Sequence, residues 1–211
     1  MALARPRPAR STANAQSADF SPEMGTPIVR LWILRLLSRG RTKIVRRIGD
    51  LTALVVHLGI PVQDDPGSDD PDDEPLAPEL TPALVRRLLR SAEADPASQR
   101  LPEPLASNIA ALQQELGLEH SAAQVLAFCI LLVNDGPLSE CANALGDMSD
   151  TYALSILEYL LGLPLAQLRS AVAPQSPLHQ SGLLRMDHSN HYLASKFDLL
   201  TGEFAARMVH Y

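Results

Sequence analysis

Aromatic residues make up only 4% of the 211 residues, and cysteine occurs twice. So few aromatics in a chain rich in Leu and Ala argue against a β-sandwich and for helices. Cys129 and Cys141 lie inside apolar helical patterns and have no C-x-x-C spacing. That excludes a disulfide framework or a thiolate zinc site and points to a reducing, cytoplasmic setting. No apolar run approaches the ~18 residues that a membrane-spanning helix needs. The arginines at 5, 7 and 10 are not followed by an apolar core and a small-residue cleavage site, so no secretory signal is read.

Sequence signatures of catalysis are missing too. No G-x-x-x-x-G-K-[ST] loop occurs; Gly40-Arg41-Thr42-Lys43 lacks its spacing. Without that loop there is no backbone cradle for phosphates, and ATP hydrolysis is not expected. No G-x-S-x-G elbow marks a serine nucleophile. The acidic run at 63–79 lacks the order of a calcium loop. Asp187, His188 and His191 read as an exposed polar turn and not as metal ligands, since no further ligand pair is evident. The chain is therefore read as non-enzymatic, with no catalytic residue, metal or cofactor.

What the chain does have is 46% apolar residues, enough for an ordinary core, and sharply segregated charge. Residues 1–63 carry ten Lys/Arg against three acids; residues 64–79 carry eight acids and no base; residues 121–211 carry four bases and eight acids. Residues 1–25, poor in large apolar side chains, read as a disordered tail. Residues 26–62 read as a basic, amphipathic helical segment. Thr26-Pro27 opens a first helix that Gly40 ends. A second helix follows from Lys43 to Leu58, with Ile44, Ile48, Leu51, Val55 and Leu58 on one stripe and Gly59 and Pro61 closing it. Residues 63–79 read as a flexible acidic linker able to shield the basic helix.

Residues 80–211 read as a helical domain. Thr81-Pro82 repeats the cap-and-proline opening, with Leu80 and Val85 as a hydrophobic staple. Leu105, Ile109, Leu112 and Leu116 form one side of a further helix. Ser121-x-x-Gln124 reads as a capping box before AAQVLAFCILLVN, the expected buried centre. Helices at 138–146, 150–162 and 165–173 follow. Prolines 174 and 177 then break the chain, and Gly182 turns it. Leu184 and Met186 are expected to alternate against Tyr192 and Ala194 across the turn 187–190, giving a two-stranded hairpin. The fold class is thus mainly α, ending in a winged helix-turn-helix with a short hairpin.

The stretches LPEPLASNIAALQQELGL (101–118), VLAFCILL (125–132), LLGLPLAQLRSAVAP (160–174), SPLHQSGLLRMD (176–187) and KFDLLTGEFAARM (196–208) resemble the helical, winged-helix leader that precedes the ATPase module of bacterial AAA-family ATPases. The resemblance covers about 101–211, and the chain stops where that module would be expected to follow. It implies a non-catalytic adaptor or regulatory region whose partner is a protein, either an AAA-family ATPase module or its substrate.

Two sets of residues are candidates for binding. Arg30, Arg35, Arg39, Arg41, Lys43, Arg46 and Arg47 lie beside Trp32 and could meet an anionic membrane surface or nucleic acid, or simply face water while the apolar side packs on the main domain. Gln167 and Arg169 on the second helix of the pair, with Arg185 in the wing, are the candidate winged-helix contact. The net negative charge of 121–211 disfavours nucleic acid there.

Overall fold

The computed structural model describes residues 25–61 and 80–210. The residues read as tail and linker lie outside these, apart from Gly25. The fold is mainly helical, with one two-stranded antiparallel sheet.

Helix α1 spans Pro27–Arg47; its first part, 28–37, is apolar nearly all round, and Ile28, Val29, Leu31, Trp32, Ile33, Leu34, Leu36, Leu37 and Ile44 are buried. A helix with that pattern must sit between other elements. It packs against α3 (Pro82–Ala94), the 3-10 turn Pro96–Gln99, α6 (Gly136–Ala144) and α7 (Asp150–Leu161). Gly40 ends the first helical segment as expected: its φ −128° and ψ 17° are not helical, and α1 consists of two helical segments that meet at this kink. A β-carbon there would stand 2.6 Å from Leu145 Cδ2, so glycine allows the close approach.

The expected single helix from Lys43 to Leu58 is interrupted. After Arg47 the chain leaves the helix, and α2 restarts at Leu51–His57 with Asp50 Oδ1 accepting from Ala53 N–H at 2.8 Å. Asn and Asp favour this role because their side chains replace the missing intrahelical acceptor. The closing turn is as expected: Ile60 N–H donates to Val55 O at 3.1 Å.

Helix α3 opens as the Thr-Pro pair predicts, with Thr81 Oγ1 accepting from Leu84 N–H at 3.2 Å and Leu80 and Val85 both buried. Helix α4 (Leu105–Leu116) buries Leu105 and Ile109, but Leu116 at its end is exposed. The central helix α5 (His120–Asn134) is buried on most sides. Its capping box is not formed: the helix begins one residue before Ser121, which is buried inside the first turn. Trp32 of α1 meets Phe128 of α5 edge to face, with ring centroids 5.1 Å apart and planes at 72°. Residues 26–61 and 80–210 therefore share one continuous core and are not separate packing units.

Helix α7 ends at Gly162, and α8 (Leu165–Val172) starts after a short turn. Glu158 of α7 reaches across this turn, its Oε1 accepting from Leu165 N–H at 3.2 Å and so capping the next helix. The proline-rich break holds a one-turn helix, α9 (Pro177–Gln180), capped by Ser176. Gly182 follows at φ +74°, in the left-handed region where a side chain would be strained.

Strand β1 (Leu184–Met186) pairs with β2 (Phe197–Leu199), in the register Leu184 to Leu199, Arg185 to Asp198 and Met186 to Phe197. The hairpin is as expected, but its second strand lies five residues further on than the Tyr192–Ala194 alternation suggested. Residues Leu193–Ser195 form a 3-10 turn instead. Phe197 is the better partner because it is bulky and buried, whereas Tyr192 is exposed. Helix α10 (Gly202–His210) then docks on α4 and α5, where Asn108 and Asn134 donate to the carbonyls of Met208 and Ala205, each at 3.0 Å.

Candidate functional site

The structure separates the seven cations of the basic segment into two groups. Arg30 Nη2 donates to Leu58 O at 2.7 Å, Arg35 Nη1 to Leu160 O at 2.6 Å, and Arg41 Nη1 to Leu80 O at 2.9 Å. Arg47 Nη1 reaches Ala144 O at 3.4 Å, and Arg39 Nη1 reaches Ser155 O at 3.4 Å while its guanidinium lies 5.1 Å from the centre of the Tyr159 ring. Leu58, Ala144 and Leu160 stand at the C-terminal ends of α2, α6 and α7. Those ends carry carbonyls with no intrahelical partner and the negative pole of the helix dipole, so a guanidinium satisfies both needs.

Helix α1 therefore acts as a rod that ties three helix ends together. Only Lys43 and Arg46 of the seven are exposed with no polar partner among the described residues. The apolar side that would enter a lipid interface is inside the core.

The second predicted set lies on α8 and β1. Helix α8 buries Leu168 and Ala171 and leaves Gln167 and Arg169 exposed. Arg185 is exposed on β1, directly across from Asp198. The structure places all three on the outside without a hydrogen bond joining them, and the carboxylate opposite Arg185 offsets its charge.

A third arrangement was not anticipated from the sequence. Lys196, one of two lysines in the chain, is 1% exposed. Its Nζ donates to Asp150 Oδ1 at 2.6 Å and to Asn190 O. Asp150 Oδ2 meets His188 Nδ1 at 2.6 Å, so one carboxylate at the start of α7 holds two points of the loop 187–196. Asp187 stiffens the loop from within, accepting from Ser189 N–H at 2.8 Å, Ser189 Oγ at 2.6 Å and Asn190 Nδ2 at 2.7 Å. Met148 N–H donates to His191 O at 2.8 Å, closing the loop onto the segment before α7. The Lys196 and His188 hydrogen bonds hold the Asp150 carboxyl below its ordinary range, and those of Ser189 do the same for Asp187.

No family model, no curated protein and no solved structure matches the chain. What the site can do is thus argued from its own geometry.

The pinned loop carries Tyr192, 47% exposed, and Tyr152 on the first turn of α7 is 44% exposed. Beside Tyr192 lies an open groove of about 670 Å³ lined by Arg47, Glu140, Asn143 and Asp147. The groove is polar and of mixed charge, and its shape is that of a contact surface more than a closed pocket.

Among the described residues no group of three His, Cys, Asp or Glu side chains is placed to hold a metal ion. His188 is committed to Asp150. Cys129 and Cys141 are both buried, and burial pushes their thiols far above the ordinary range, which leaves them without thiolate reactivity. Among the described residues no single helix is long and apolar enough to cross a membrane.

Proposed function

We propose that this chain is a non-catalytic, cytoplasmic adaptor that binds a protein partner through the surface formed by the start of α7 and the loop 187–196. The observation that carries the reading is the Lys196–Asp150 pin, which fixes the loop bearing exposed Tyr192 next to the turn bearing exposed Tyr152. Tyrosines held on a rigid support lose little entropy on binding and are the side chains most often dominant in protein interfaces. The resemblance of 101–211 to the leader of AAA-family ATPases supplies the kind of partner: an ATPase module of that family, or the protein it acts on.

A second reading, a winged-helix regulator that binds nucleic acid, is favoured by the exposure of Gln167, Arg169 and Arg185. The deciding experiment uses the full chain for affinity capture and for selection from random duplexes. The adaptor reading expects a partner that is retained by Arg169→Ala and lost by Tyr152→Ser/Tyr192→Ser. An enriched duplex consensus whose affinity falls on Arg169→Ala would replace it with the regulator.

A further inference from the structure

Among the described residues, exposed cations without a carboxylate partner also stand outside the basic segment of the sequence. Helix α3 carries Arg86, Arg87 and Arg90, all exposed. Arg86 Nε reaches only the backbone of its own helix, at Pro82 O, and neither Arg87 nor Arg90 has a polar partner among the described residues. The carboxylate within α3, Glu93, is already held by Arg35 at 3.4 Å. Arg86 and Arg90, one turn apart, line an open trough of about 530 Å³ with Ala83 and Leu89. The trough presents guanidinium groups, which pair with carboxylates in a two-pronged geometry.

The chain supplies a matching run of carboxylates beside it. Residues 64–79 hold eight acids and no base, and they join α3 at Leu80, the residue before its cap Thr81. From Thr81 to Arg90 is about 14 Å along the helix. Sixteen residues extended at up to ~3.5 Å each reach well beyond that and can still return to Pro61. Tethering at so short a distance gives an effective concentration on the millimolar scale, enough for a weak electrostatic contact to form. The cations of α1 compete poorly, because five of its seven are engaged on backbone carbonyls.

We propose that the outward arginine face of α3 is the docking surface for residues 64–79 of the same chain, with Arg86, Arg87 and Arg90 opposite its carboxylates. The surface is then neutralised from within the protein and is not left open to external polyanions.

The test attaches a nitroxide to Ser68→Cys in the full chain; Cys129 and Cys141, both buried, stay unlabelled in the native protein. Broadening of the amide signals of Ala83, Arg86, Arg87 and Arg90 is read by NMR at low salt and at about 0.5 M salt, where exposed pairs are screened. The proposal expects broadening several-fold stronger in the parent than in Arg86→Gln/Arg87→Gln/Arg90→Gln, and its loss at high salt. Equal broadening in parent and triple variant would mean that tethering alone brings the segment near, and would overturn the proposal. So would broadening centred on Lys43 and Arg46, or a duplex DNA probe that binds the α3 arginines of the parent without displacing the label. If the triple variant does not fold, changing all the acids of 64–79 to Asn or Gln leaves α3 intact and must abolish the same broadening.

Discussion

Removing the carboxylate of Asp150 tests the loop pin most severely. In the native protein Lys196 is 1% exposed, and its ammonium is matched by Asp150 Oδ1 and Asn190 O. Asp150→Ala leaves that cation inside with one backbone carbonyl. A buried charge stripped of its partner costs about 3–5 kcal/mol, but Asp150 is 36% exposed, so entering water moderates the loss to about 3 kcal/mol. For a chain of this size that lowers the melting temperature by roughly 6–12 °C. Lys196→Met, which removes the charge and keeps the volume, is expected to cost clearly less. Asp150→Asn should fall between, since it keeps an acceptor and loses the charge. The assay is thermal and urea unfolding of the three variants and of the Asp150→Ala/Lys196→Met double variant. The double variant should be more stable than Asp150→Ala alone. If Asp150→Ala melts within a degree or two of the parent, the pin does not hold the loop and the reasoning fails.

The pH dependence has a definite sign. Because the Asp150 carboxyl is held below its ordinary value in the folded state, its contribution is present above the unfolded value, near 4, and disappears as pH falls through the lower folded value. Acid titration of the parent and of Asp150→Asn should therefore show the full difference above about pH 4 and converge only as pH falls through the lower folded value, as followed by urea midpoints. Leu126→Ala and Leu157→Ala, each at 0% exposure, should cost about 2–5 kcal/mol in the same assay. Residues 80–211 expressed without α1 should fail to give a cooperative melt, because Trp32 and its buried neighbours leave an open cleft over Phe128. Calorimetry with ATP should show no saturable binding, in keeping with the lack of a phosphate-binding loop.

Local signals in this sequence were legible where they act locally. Thr81-Pro82 caps its helix as read, Gly162 ends α7, and Gly182 takes a backbone conformation that only glycine adopts easily. The hairpin was legible in kind but not in register. Leu184 and Met186 have two possible apolar partners downstream, and only the burial of Lys196 and Phe197 decides between them. The arginines of α1 looked like a surface patch because sequence shows their charge and not the distant carbonyls they meet; Arg35 and Leu160 are 125 residues apart. Lys196 was missed for the same reason. Its partner Asp150 lies 46 residues away, and a lone lysine before an apolar strand carries no periodic signature. The three arginines of α3, by contrast, stand on a predicted helix, yet only the structure shows that no carboxylate among the described residues meets them.

The central claim is that α1 is the internal rod of one cooperative core, with its guanidiniums closing helix ends, so that contact surfaces lie elsewhere on the fold. Native-state hydrogen exchange under increasing denaturant measures this directly. The amides of Ile33, Leu34, Leu36 and Leu37 in α1 are predicted to open only with global unfolding, at the same free energy as Phe128 and Ile130 in α5. If the α1 amides instead open several kcal/mol below those of α5, α1 is a detachable segment and the account is contradicted.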